Sequence, residues 1–315
     1  MKRNIFSILC VLFFLIMLIR PREVFLGAQD GLLLWFQIVL PTLLPFLIIT
    51  NLLFHTNGLH YITRAVSPVI CPLFGVSETA GFAVIAGFLC GYPLGAKTTA
   101  DLLRQRFITE QEAQYLLSFC NNTSPMFILN FIVWKTLKNN ALMLPTLLIL
   151  YASPILMSFL FRKFYRIGKP IPANTSPKQN ASEFLSPSSG GFDIVDDCIM
   201  NGFEAIVKVG GYIILFSVIL TLLSNTGLPD SSIGNYLLAS LEITNGITLL
   251  GSLQTSWTYP AILTLTSFGG FCAAAQTKCM LQGTSLKIMP YILQKLVTAL
   301  ATSILTVLFL NVILL

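Results

Sequence analysis

Residues 87–103 read GFLCGYPLGAKTTADLL. An apolar run meets Gly-Tyr-Pro-Leu-Gly, and a lysine and two threonines follow. Proline removes a backbone donor and disrupts a helix interior, and glycine tolerates unusual dihedrals. The stretch therefore predicts an interruption in a membrane-buried helix. Irregular backbone at membrane depth persists only where protein or a water-filled cavity satisfies it. GYPLG thus implies a cavity or a close helix contact; a simple proline kink with glycine packing is the plainer alternative. AKTT can open a new helix whose free N–H groups face the break, and such an end attracts anions. Lys97 adds a positive charge and Thr98 a hydroxyl, so Gly91, Pro93, Gly95, Lys97 and Thr98 are candidate substrate-binding residues. Alternatively, Lys97 only snorkels to the interface.

The rest of the chain places that break in lipid. Hydrophobic residues make up 55% and charged residues 10%, against about 25% charged in soluble domains. Mean hydropathy is +0.78. This composition predicts an all-α polytopic integral membrane protein. The net charge of +6 does not signal a nucleic-acid partner, because the basic residues lie between apolar runs and read as topology signals. Seven cysteines form no C-x-x-C pair, and His55 and His60 miss the i,i+4 spacing of a helical metal pair. No metal site and no cofactor is expected. Nor is an enzyme: there is no nucleophile elbow, H-E-x-x-H or Walker A.

Apolar segments are expected at 5–19, 31–53, 61–74, 79–94, 113–134 and 141–161, then at 203–223, 233–250, 257–275 and 288–315. Residues 101–112 read as interfacial and 193–201 as a short amphipathic helix. Between the halves, 162–191 is rich in Pro, Ser, Asn and Lys and reads as a solvated linker. The organisation expected is an N-terminal helix and connection (1–30), a first repeat (31–161), a cytoplasmic linker (162–192) and a second repeat (193–315). SETAG (77–81) echoes LEITNG (241–246), and GFLCGYPLGAKTTADLL echoes GGFCAAAQTKCML (269–281). Interrupted segments in two halves point to a transporter's binding site. If 79–94 is a full span the repeats are parallel; if 61–97 dips in and returns the halves are inverted, the arrangement expected here because it violates the charge rule less. Lys2, Arg3, Arg64, Lys97, Arg104 and Arg106 then join the linker's Arg162, Lys163, Arg166, Lys169 and Lys178 on one side.

CNNTSP (120–125) sets four polar side chains at membrane depth beside another proline. Unpaired, each would cost on the order of 1–3 kcal/mol, so Asn121, Asn122 and Ser124 are expected to bond a ligand, an ion or a facing helix. Gln276, Thr277 and Lys278 are the second-half candidates. Glu78 and Glu242, with Asn245, are expected to shape the site or carry a coupling proton, unless the acids only cap helices.

At GFLCGYPLGAKTTADLL and CNNTSPMFIL the sequence resembles the YlbJ-type sporulation integral membrane proteins, with GVSETAG (75–81) and FGGFCAAAQTKCML in support. That family is similar in turn to the nucleoside-recognition, or gate, superfamily. The resemblance implies two gate-type repeats in the outer forespore membrane or cell membrane. It also implies transport of a small anion, dipicolinate, into the developing spore. A nucleoside or other small-molecule carrier, or a non-transporting structural protein of the spore envelope, is the alternative. The expected partners are a small anionic substrate and the lipid bilayer.

Overall fold

In the computed structural model, described over residues 2–56, 58–165, 191–226 and 231–313, the chain is helical, with no strand among those residues. Among the described residues, four helices are long and apolar enough to cross a membrane: Pro21–His55, Asn140–Phe164, Phe192–Ser224 and Ile288–Asn311. The protein is an all-α polytopic membrane protein. Most of the 162–191 linker lies outside the described residues.

Helix α1 (Lys2–Ile19) turns at Arg20 into α2 (Pro21–Leu34), which continues through a π-turn (Trp35–Val39) into α3 (Leu40–His55). The span expected at 31–53 thus begins ten residues earlier, because Pro21 suits the first turn of a helix and nothing interrupts it afterwards. Gly27 and Gly31 press that helix onto α10 (Gly191–Ser224): a Cβ on either would stand 2.9 Å or less from the α10 backbone. Small residues four apart permit this close approach. The amphipathic segment expected at 193–201 is simply the first turns of α10.

Next, α4 (Gly58–Phe74) runs through Pro68 and Pro72 without breaking. Hairpin 1 follows, with arms α5 (Ala80–Leu89) and α6 (Leu94–Arg104). The dip expected over 61–97 is therefore displaced to 80–104. Then come α7 (Glu110–Phe119), an unwound CNNTS segment, and a helix resuming at Pro125–Leu137, which begins with the one-turn α8 (Pro125–Phe127). Helix α9 (Met143–Phe164) closes this half. In the second half, 233–250 is not one span. It is hairpin 2, with arms α11 (Ser232–Ala239) and α12 (Ile243–Ser252). The segment at 257–275 is likewise divided at Gly269 into α13 (Thr258–Phe268) and α14 (Gly270–Met280), and α15 (Ile288–Ile313) ends the bundle.

Cross-links fix the directions. At the linker end, Gln114 pairs with the Lys287 backbone at 3.1 and 2.8 Å, and Gln294 donates to Tyr165 at 2.6 Å. Both arms of hairpin 1 start there: Ser77 N donates to Glu112 at 2.6 Å, and Arg104 caps the carbonyls of Met280 and Gln282. At the opposite end, Thr146 meets Tyr259 at 3.1 Å, and Gly251 of hairpin 2 packs on Thr136. The hairpins therefore enter from opposite ends. The interrupted helix 110–137 runs antiparallel to 258–280. The echoed sequences are different elements, since GFLCGYPLGAKTTADLL spans a hairpin tip whereas GGFCAAAQTKCML is the second half of an interrupted helix.

Candidate functional site

Each hairpin tip docks on the interruption of the following helix. In the first half, the Cys120 carbonyl enters between α5 and α6 at Gly87 and Gly95, and Ala96 N donates to Asn121 Oδ1 at 3.3 Å. Gly91 takes φ +91° at the tip, where a Cβ would meet Ser124 N at 2.9 Å, so both the turn and the contact require glycine. In the second half, Phe271 N and Cys272 N donate to the carbonyls of Ser240 and Leu241 at 2.8 and 2.9 Å. Glu242 turns this tip without proline or glycine: its carboxylate accepts from Thr244 N and Asn245 N at 3.1 and 2.9 Å, capping α12. The two halves also touch directly. Tyr92 OH donates to Thr266 O and Ser267 O at 3.4 and 3.2 Å, and Thr123 Oγ1 to Thr266 O at 3.3 Å.

Between these four elements lies a cavity of about 380 Å³, within the usual range of small-molecule sites. Gly91, Ser124, Glu242 and Gln276, four of the expected residues, line it. Tyr92, Phe127 and Phe131 add aromatic surface, and Asn130 and Lys135 a polar rim, with the Lys135 Nζ 4.7 Å from the Phe131 ring.

Other expected residues go elsewhere. Asn121 is buried and spends its amide on the frame, accepting from Ala96 N and donating to Thr277 Oγ1 and Tyr291 OH, both at 2.9 Å. Thr277 is wholly buried in that network. Asn122 donates to Phe119 O at 2.6 Å. Pro93 and Gly95 are buried packing positions. Asn245 donates to Ser217 Oγ of α10 at 3.2 Å. Lys97 bonds Asp101 at 2.7 Å and Asn51 at 2.9 Å beside a second cavity, of about 550 Å³, at the linker end. Asp101 also bonds Arg104 at 2.5 Å, so one carboxylate is shared by two cations of the same helix. Lys278 is exposed, so Lys97 and Lys278 do not form a joint cationic clamp on the central cavity. Glu78 is half-buried at the foot of hairpin 1, where the buried acid is Glu112.

Thr98 is fully buried and its Oγ1 has no hydrogen-bond partner. Since an unsatisfied buried hydroxyl is costly, Thr98→Val is expected to be neutral or to stabilise by about 1 kcal/mol. Thermal unfolding of the purified variant checks this, and a clear loss of stability would reveal a hidden partner.

Lys295, inside the last apolar run, is not among the expected site residues. It is 2% exposed, and its Nζ donates to Asn121 O at 3.1 Å and Asn122 Oδ1 at 3.3 Å, 5.1 Å from the Tyr92 ring centre. A charged residue within a span is itself a signal of function.

Residues 36–138, from the π-turn to the end of the first interrupted helix, match the family model described as Gate, nucleoside recognition. The family resemblance holds. Along most of its length the chain is also similar to a curated relative, the sporulation integral membrane protein YlbJ of Bacillus subtilis (strain 168). Identity is 27% over 306 residues, covering 88% of this chain and 75% of that protein. No solved structure matches. The Gate segment contains hairpin 1, the CNNTS interruption and Lys135; Glu242 and Lys295 lie outside it.

Proposed function

We propose that the protein is a carrier built from two inverted gate-type repeats, over 31–161 and 193–315, moving a small organic anion through the central cavity. The carrying observation is the convergence of two hairpin tips and two helix interruptions on that cavity. Ligand sites formed by discontinuous helices at a repeat interface are a transporter design, with alternating access by rocking of one repeat against the other. Dipicolinate, an aromatic dicarboxylate, suits the lining: its ring would pack on Phe127 and Phe131, and Lys135 would meet a carboxylate while Ser124, Asn130 and Gln276 hydrogen-bond it. Similarity to a sporulation membrane protein supports a role in spore formation at the forespore or cell membrane.

A nucleoside is the second reading. The Gate match favours it, and so does Glu242, because a cavity carboxylate accepts from sugar hydroxyls while opposing a dianion. Uptake by proteoliposomes offered labelled dipicolinate or labelled nucleosides decides between them. Saturable dipicolinate uptake is expected, with Lys135→Gln raising its KM about tenfold through loss of a charge-assisted bond. Uptake of nucleosides alone would replace the first reading with the second.

A further inference from the structure

Lys295 is a buried side chain whose chemistry the carrier reading leaves unused. It lies within the apolar stretch Ile288–Asn311, and it joins no ion pair among the described residues. The neighbouring hydroxyls of α15 do not serve it: Thr298, Thr302 and Thr306 donate back along their own helix. Instead the ammonium sits just beyond the C-terminus of α7, against the unwound segment. There it takes one backbone carbonyl, Asn121 O, and one amide oxygen, Asn122 Oδ1, and it turns toward the face of Tyr92. The end of a helix dipole is negative, and an unwound carbonyl has no intrahelical donor. In carriers with broken helices, such carbonyls and half-helix C-termini are the groups that hold a monovalent coupling cation. Two oxygens and an aromatic face are likewise what a desolvated cation seeks.

We propose that Lys295 is a tethered cation, occupying with its own ammonium the position where a carrier of this design would bind an alkali-metal ion. The group that fills the first interruption is then part of the chain itself. The charge also reaches the second half through Tyr92, whose ring faces Nζ and whose hydroxyl bonds the last carbonyls of α13. One consequence is that the two interruptions stay joined without sodium. The other, which rests on the carrier reading, is that transport does not require it.

The test uses the purified full-length chain in detergent, with sodium exchanged for choline. The wild-type unfolding midpoint is expected to be the same in both. Lys295→Ala empties the position without removing its oxygens. Its midpoint is expected to fall by several degrees in choline and to recover saturably with sodium or methylammonium. Lys295→Met, which fills the space without charge, is expected to fall and not recover with either. A wild-type midpoint that rises saturably with sodium would overturn the proposal. So would variants as stable as wild type in choline, or an alanine variant that no cation restores. If Lys295→Ala does not fold, the sodium titration of wild type and the stability of Lys295→Met still decide. In proteoliposomes, wild-type dipicolinate uptake is expected to be equal in sodium and choline, and the methionine variant to lose about tenfold, the scale of a hydrogen bond to a charge. Absence of uptake in every medium would sink the carrier reading and leave the stability result standing.

Discussion

Gly87→Ala is expected to destabilise the protein severely, at or beyond the upper end of the usual overpacking cost of about 1–3 kcal/mol. A Cβ at Gly87 would stand 1.5 Å from the Cys120 carbonyl oxygen, and one at Gly95 would stand 2.2 Å from the same atom. Neither neighbour is a flexible side-chain tip. The obstacle is the backbone of the unwound segment, held in turn by Asn121 and Lys295. Relief would require hairpin 1 to leave the interruption it docks on, which would dismantle one wall of the cavity. Gly211→Ala supplies the control, because its Cβ would meet nothing within 4 Å. Replacing that mid-helix glycine is expected to be neutral or to stabilise by roughly 0.5–1 kcal/mol. A thiol-reactive fluorophore reads both variants during heating, because Cys120, Cys198, Cys272 and Cys279 are buried and free. A Gly87→Ala midpoint equal to wild type would refute the close docking of the hairpin.

The contrast between the two tips explains what the sequence makes visible. Tip 1 is written in backbone chemistry: Gly91, Pro93 and Gly95 stand in an apolar run, and the CNNTS polar cluster marks the first interruption. Tip 2 has no such punctuation. Ser240-Leu241-Glu242 turns because a carboxylate caps the next helix, and a single acid near an apolar run reads equally well as an interfacial cap. Residues 233–250 therefore look like one span. Charge is misleading for a related reason. Lys97 is conspicuous beside the break, yet Asp101 lies one turn along the same helix and pairs with it as well as with Arg104. Lys295 is inconspicuous in a long terminal span, but no acid is spaced to pair with it. An unpaired lysine within a span was the more informative signal. Pairings between distant elements, such as Asn121 with Thr277 and Tyr291, belong to tertiary structure alone.

If the protein is the carrier proposed above, Asn121→Ala is expected to abolish its transport by loosening the frame rather than by removing a ligand contact. The side chain is 1% exposed. Its oxygen holds Ala96 N in the first turn of α6, and its nitrogen reaches Thr277 on α14 and Tyr291 on α15. Truncation strands Ala96 N and leaves Thr277 and Tyr291 only their mutual bond at 3.4 Å, and each buried group left unsatisfied costs about 1–3 kcal/mol. The loss falls where hairpin 1, the second interrupted helix and the final helix meet, so no single helix can relax to absorb it. Lys135→Gln works in the opposite way: it sits at the cavity rim, and its loss is expected to raise KM while leaving the unfolding midpoint near wild type. Measuring both quantities on both variants separates frame from site. An Asn121→Ala protein that keeps its stability and loses only substrate affinity would return Asn121 to the ligand. The three-way junction would then not be what holds the two interruptions together.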